Sequence, residues 1–240
     1  MNNKRFSNLE TLKFSIFTLF ERFGYFILIE FSAFGALIGS FFIALIVSSL
    51  LFLDKIKAVF QENEINQEVI KKIFFQNITW QAPAASFILV LILYLTYRYL
   101  ALGWSKIALN FYDNKPNQVS TLFSCYNLIF KDAIAALLYM LGTILGLLLF
   151  IVPGIYFAIV FGFYHLFIVD QNAGIIESFK KSAKLTRNIR WHLFALILLL
   201  VIITQPFHMG FVLFAFPFFA LAYAYVYRTL LIQQHPEQEV

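Results

Sequence analysis

Five cations crowd one short polar stretch, residues 170–190: Lys180, Lys181, Lys184, Arg187 and Arg190. Wound on a helix, the first four cover one side, while Ile175, Phe179, Ser182, Thr186 and Ile189 share the other. That pattern suits a helix in a headgroup layer, with cations on anionic lipid phosphate and Ile and Phe sunk among acyl chains. A plain topology anchor obeying the inside-positive bias needs the same residues and is the simpler account. Two more ionisable groups border or enter apolar runs, Glu30 and His165. At membrane depth such groups are candidates for proton coupling or relay. The plainer readings are a Glu30 that reaches to the interface and a neutral His165 bonded to a neighbouring helix. Other chemistry is missing. There is no HExxH, GxSxG, Walker loop or Cys-x-x-Cys, and His165, His192, His208 and His235 lack metal-ligand spacing. The single cysteine, Cys125, excludes an internal disulfide or a cysteine cluster. The chain is therefore expected to be no enzyme and to hold no cofactor or metal.

The elements that must position these groups follow from hydropathy. The 240 residues are 61% hydrophobic and only 13% charged, against about a quarter charged in soluble domains. Ala133–Val169 and Trp191–Tyr227 are apolar runs of 37 residues each. As single helices each would extend roughly 55 Å, against a hydrocarbon core of about 30 Å. Both carry a break near the middle, Val152-Pro153-Gly154 and Gln205-Pro206. The reading is a single all-α domain over 1–240, a polytopic membrane protein whose six transmembrane helices form three hairpins. The spans are 31–53, 82–101, 133–152, 153–169, 191–205 and 206–227, with a polar outer loop at 54–81 and the amphipathic connector at 170–190. Residues 6–22 form an amphipathic surface helix, with Leu9, Leu12, Ile16, Leu19 and Phe20 on its lipid side. Val119–Phe130 reads as another. Leu9-Glu10-Thr11-Leu12, Val119-Ser120-Thr121-Leu122 and Ile176-Glu177-Ser178-Phe179 open three such stretches, each leading into a pair of spans. The charges of 6–22 also interrupt any signal-peptide core, so this segment is expected to be retained.

Orientation follows from counting Lys and Arg. With the N-terminus inside, fourteen lie in inner segments and four, Lys55, Lys57, Lys71 and Lys72, in the outer loop. Both termini are expected in the cytoplasm. Tyr94, Tyr97, Tyr99 and Trp104, and Tyr223, Tyr225 and Tyr227, gather where two spans would meet that interface. Small residues mark helix-packing faces: Ser32, Ala36, Ser40, Ala44 and Ser48 with Gly35 and Gly39 beside them, then Gly142 and Gly146, then Gly154 and Gly162 around Ala158. Packing within the chain is the simpler use of these faces than dimerisation.

Three segments carry a family resemblance. They are Leu145-Gly146 through Val152-Pro153-Gly154-Ile155, then Phe167-Ile168-Val169-Asp170, and then Ala173-Gly174 through Ser182-Ala183-Lys184-Leu185-Thr186 with Trp191 beyond. In order and spacing they resemble the YciC-like bacterial inner-membrane proteins and the related membrane domain attached to some glycerophosphodiester phosphodiesterases. The resemblance covers roughly residues 100–200, and the 54–81 loop departs from it. It implies a six-helix bacterial inner-membrane protein with no established catalytic role, since the phosphodiesterase activity of the fused relatives belongs to a soluble barrel absent here. The expected role is non-catalytic organisation or maintenance of the membrane or envelope. A small permease for a lipidic or apolar solute is the alternative. The expected partner is the bilayer, with anionic phospholipid at its cytoplasmic face and no nucleic acid.

Overall fold

The computed structural model describes residues 6–53, 57, 81–204 and 212–234. Nine α-helices fall among them: α1 (Asn8–Glu21), α2 (Phe23–Ser49), α3 (Gln81–Tyr112), α4 (Ile129–Leu149), α5 (Ile151–Phe161), α6 (Tyr164–Gln171), α7 (Ile175–Thr186), α8 (Arg190–Thr204) and α9 (Val212–Gln234). Short 3-10 turns occupy Leu50–Phe52, Val119–Phe123 and Tyr126–Leu128. No strand occurs among the described residues.

Four helical stretches are long and apolar enough to cross a membrane: Phe23–Phe52, Pro83–Tyr112, Val119–Leu149 and Ile151–Gln171. Ile175–Thr186 and Arg190–Ile203, bent by 97°, make a fifth if taken as one broken span. An all-helical chain of this kind fits a membrane protein. The count of four to five, where the sequence predicts six, reflects the two C-terminal helices. With 15 residues, α8 is short of the about 17 a crossing needs. The predicted turn at Gln205-Pro206 and the polar loop at 54–81 lie outside the described residues, apart from Lys57 and Gln81.

The chain divides into two compact units, one drawn from residues 1–32 and 98–240 and the other from 33–97. In the smaller unit, Ser40, Ala44 and Ser48 form the buried small face, and the Ser48 hydroxyl donates to the Ala85 carbonyl at 3.1 Å. Gly35 and Gly39 are a correction. A Cβ built at either meets nothing within 4 Å, so neither packs against a described neighbour. The spacing is right for a contact, but the contact is made by the serine row one face over.

In the larger unit, α1 caps on Ser7, whose Oγ accepts from the Glu10 N–H at 3.5 Å. This helix buries Thr11, Ser15, Thr18 and Leu19, and it packs against α9. Thr11 and Ser15 return their hydroxyls to the carbonyls of Ser7 and Thr11, at 3.0 and 2.9 Å, so the row is self-satisfied and slim enough for close approach. The apolar row expected on lipid divides: Leu9, Ile16 and Phe20 are exposed, while Leu19 turns inward. Helix α3 continues eleven residues past the predicted end of its span, because Trp104, Ile107, Ala108 and Leu109 are core. Phe26 stacks on Trp104 at 6.0 Å and on Phe111 at 5.3 Å. The predicted amphipathic helix at Val119–Phe130 is instead two 3-10 turns leading into α4, with Leu122 buried so deeply that a Cβ on Gly103 would strike its carbonyl.

Helices α4 and α5 fold back on one another, but not at Pro153. The reversal is at Phe150, extended at φ −164° and ψ 154°, and α5 starts at Ile151. Pro153 then sits in the first helical turn, where its missing N–H costs nothing. A Cβ on Gly146 would stand 2.8 Å from the Gly154 Cα, so the glycines mark the crossing point. Tyr139 donates to the Ala158 carbonyl at 3.0 Å along the same seam. Around the reversal Leu148, Leu149, Phe150, Ile151 and Val152 are each at least 70% exposed, a tip with no polar side chain.

Candidate functional site

The cationic segment begins where Asn172, in the left-handed conformation at φ 50°, turns the chain out of α6. Lys131 fastens this turn, donating from Nζ to the Asn172 carbonyl and Oδ1 at 3.2 and 2.6 Å. Gly174 precedes α7, and its N–H donates to Glu177 Oε2 at 3.2 Å. Glu177 also pairs with Lys181 at 2.7 Å. The Lys181 hydrogen bond first, then the Gly174 N–H, hold the Glu177 carboxyl below its usual range. Lys181 further donates to Gln171 Oε1 at 2.9 Å.

The other face of α7 is held by hydroxyls. Ser182 donates to the Val160 carbonyl at 2.9 Å and accepts from the Phe163 N–H at 3.2 Å. Thr186 donates to the Val160 carbonyl at 3.2 Å. These bonds satisfy the backbone opened where α5 gives way to α6, which is why polar residues sit on the buried side. Phe179 packs on Tyr164 and Phe161, and Ile189 is buried. The periodicity grouped the right residues on one side, but that side covers protein rather than lipid. Lys180, Lys184 and Arg187 remain exposed opposite, with no carboxylate partner among the described residues.

The chain then bends, and Arg190 and Trp191 open α8. Arg190 donates to the Tyr156 hydroxyl, and its guanidinium lies 4.9 Å from the Tyr156 ring centroid. Its Nε–H is buried and has no partner among the described residues. Beneath this elbow lies a pocket of about 520 Å³ lined by Val152, Ile155, Tyr156, Ile159, Arg187, Asn188, Arg190, Trp191, His192 and Phe194. It contains no acid.

The remaining predicted residues fall elsewhere. Glu30 is half-buried inside α2 rather than at its edge, and its Oε1 is buried without a partner among the described residues. His165 lies between the rings of Tyr164 and Tyr223, at 5.6 and 6.4 Å, with a hydrogen bond to the Gly162 backbone. Gly142 faces Phe157, and a Cβ on Gly162 would stand 3.0 Å from the Ala158 carbonyl oxygen and 3.8 Å from the Tyr223 ring. The structure does not bring Glu30 or His165 to the cationic elbow.

Two charge clusters escape sequence reasoning. Arg98 pairs with the fully buried Asp132 at 2.5 Å and donates to the Tyr164 hydroxyl at 3.1 Å. Arg228 bridges Asp170 at 2.8 Å and Asp113 at 2.7 Å, with Tyr227 donating to Asp170 at 3.0 Å. Neither has a short motif, because each joins helices distant in sequence. The available signal was an isolated charge at the end of an apolar run.

Fold and site together define an all-helical chain of membrane-protein type with a cationic elbow. The protein belongs to the family described as Domain of unknown function (DUF7847), which matches residues 69–235. Comparison with curated proteins and with solved structures finds no match.

Proposed function

We propose that this is a non-catalytic bacterial inner-membrane protein that organises or maintains the membrane or envelope by holding anionic phospholipid at its cytoplasmic face. In this reading it is related to the YciC-like proteins, has six spans in three hairpins and keeps both termini inside. One observation carries the lipid reading. Lys180, Lys184 and Arg187 stand exposed on a helix whose opposite face is bonded to Val160 and Phe163. Three unpaired cations on a fixed helix attract phosphate more than they stabilise the fold, since exposed charge contributes little to folding. The Arg228–Asp170–Asp113 cluster supports the topology, because it gathers the ends of α3 and α6 with α9, all assigned to the inner side.

Mass spectrometry of lipid copurified with the full chain tests the reading. Anionic phospholipid should be enriched over the bulk membrane, and reconstituted vesicles should show no solute flux. Bulk lipid composition around the protein would overturn it. The second reading, a permease for a lipidic or apolar solute, is favoured by the unpartnered Glu30 Oε1. Flux that Glu30→Gln abolishes would establish that reading in place of the first.

A further inference from the structure

Arg190 is a cation without a carboxylate partner among the described residues. Its neighbours on one side are Val152 and Ile155, which continue into the apolar tip around Phe150. Arg190 is half-buried, and a guanidinium beside apolar side chains favours an accompanying anion. Asp132 compensates Arg98 inside the bundle, and Asp170 and Asp113 compensate Arg228. Arg190 and Arg187 have no carboxylate among the described residues, and none lines the pocket they share. The Tyr156 hydroxyl accepts from Arg190 and the Tyr156 ring lies 4.9 Å from its guanidinium, which restrains the side chain. A planar guanidinium fork matches two oxygens of a phosphodiester.

Resting on the lipid reading above, we propose that the pocket beneath the elbow is a discrete site for one anionic glycerophospholipid. Arg190 and Arg187 hold its phosphate, and an acyl chain lies against Ile155, Ile159 and Phe194. The pocket supplies both halves of that ligand: two cations, and an apolar wall that shares Val152 with the exposed apolar tip around Phe150. At about 520 Å³ it accommodates a headgroup and the first part of a chain, not a whole lipid. The lysines on α7 contribute general attraction, and the two arginines supply the fixed contact.

The test uses full-length protein in vesicles of phosphatidylcholine alone or equimolar phosphatidylcholine and phosphatidylglycerol, with fluorescent phosphatidylglycerol as the bound probe. Wild type should hold the probe saturably, and excess glycerophosphoglycerol, the headgroup without chains, should not displace it. Arg190→Gln should weaken binding by about tenfold, the value of one charge-assisted hydrogen bond. Arg187→Gln, on an exposed side chain, should weaken it without altering the melting temperature and so guards against misfolding of the first variant. Lys180→Gln with Lys184→Gln should change it less than threefold. Binding abolished by the lysine pair but kept by both arginine variants would overturn the pocket while leaving the lipid reading intact. Displacement by glycerophosphoglycerol would overturn the acyl-chain part. Absence of phosphatidylglycerol preference in wild type would overturn the lipid reading itself.

Discussion

Asp132 is fully buried, and only one of its carboxylate oxygens has a partner. Its charge is tolerated because Arg98 lies at 2.5 Å, and Arg98 in turn is steadied by Tyr164. Removing one partner leaves an uncompensated buried charge, whereas removing both leaves none. Asp132→Asn is therefore expected to destabilise the protein by about 3 kcal/mol, read as a lowered melting temperature in detergent. Asp132→Leu combined with Arg98→Met should recover part of that loss, and a double variant less stable than the single one would refute the account. Glu177 behaves differently because it is exposed. Its folded-state pKa lies below the unfolded one, owing to Lys181 and the Gly174 N–H. The stabilisation it gives is complete above the unfolded value of about 4.3 and is lost as pH falls through the folded value. Acid should thus fray the start of α7 first, seen as faster amide exchange at Ser178 and Phe179. Glu177→Gln should make that exchange insensitive to the same pH change once intrinsic rates are divided out.

Among the helices, identical spacings meet different fates. Gly35 and Gly39 stand four apart, as do Gly142 and Gly146. Only the second pair meets described neighbours: Gly142 faces the Phe157 ring and Gly146 crosses the Gly154 backbone, where a Cβ added to Gly154 would stand 2.7 Å from the Leu147 N. A side chain at that crossing would force α4 and α5 apart, with overpacking costs of about 1–3 kcal/mol or more. Gly146→Leu should lower the melting temperature markedly, and Gly39→Leu should leave it within a degree or two; the reverse order would contradict the fold. This contrast also measures what a single chain could reveal. Apolar runs and the cation row of α7 are legible, because each is a local pattern. Which face finds a partner is not. The hydroxyl row of α1 and the Ser182–Thr186 row both look polar in sequence, yet both are buried, since in close helix contacts a hydroxyl bonded to a carbonyl is slimmer than leucine. The reversal falls at Phe150, three residues before Pro153, because Pro153 is a good helix starter as well as a breaker.

At the scale of the whole molecule, the bilayer orders what the helices alone leave undecided. Fourteen of the eighteen Lys and Arg fall in segments assigned to one side. Transferring that many cations across a membrane is opposed by both the potential and the charge of the inner leaflet. The ion-pair cluster of Arg228, Asp170 and Asp113 adds a mechanical reason for a common side, as it fixes the C-terminal ends of α3 and α6 to α9. If those ends share the cytoplasm, α7 must begin there too, because Lys131 holds the Asn172 turn directly after α6. The single cysteine makes this testable. Cys125 is buried, and a Cys125→Ser background would carry no other thiol. A cysteine introduced at the exposed Lys184 should react with a membrane-impermeant maleimide in inverted inner-membrane vesicles and not in intact spheroplasts. One introduced in the 54–81 loop should show the opposite pattern. Labelling of the Lys184 position from the outside would reverse the topology.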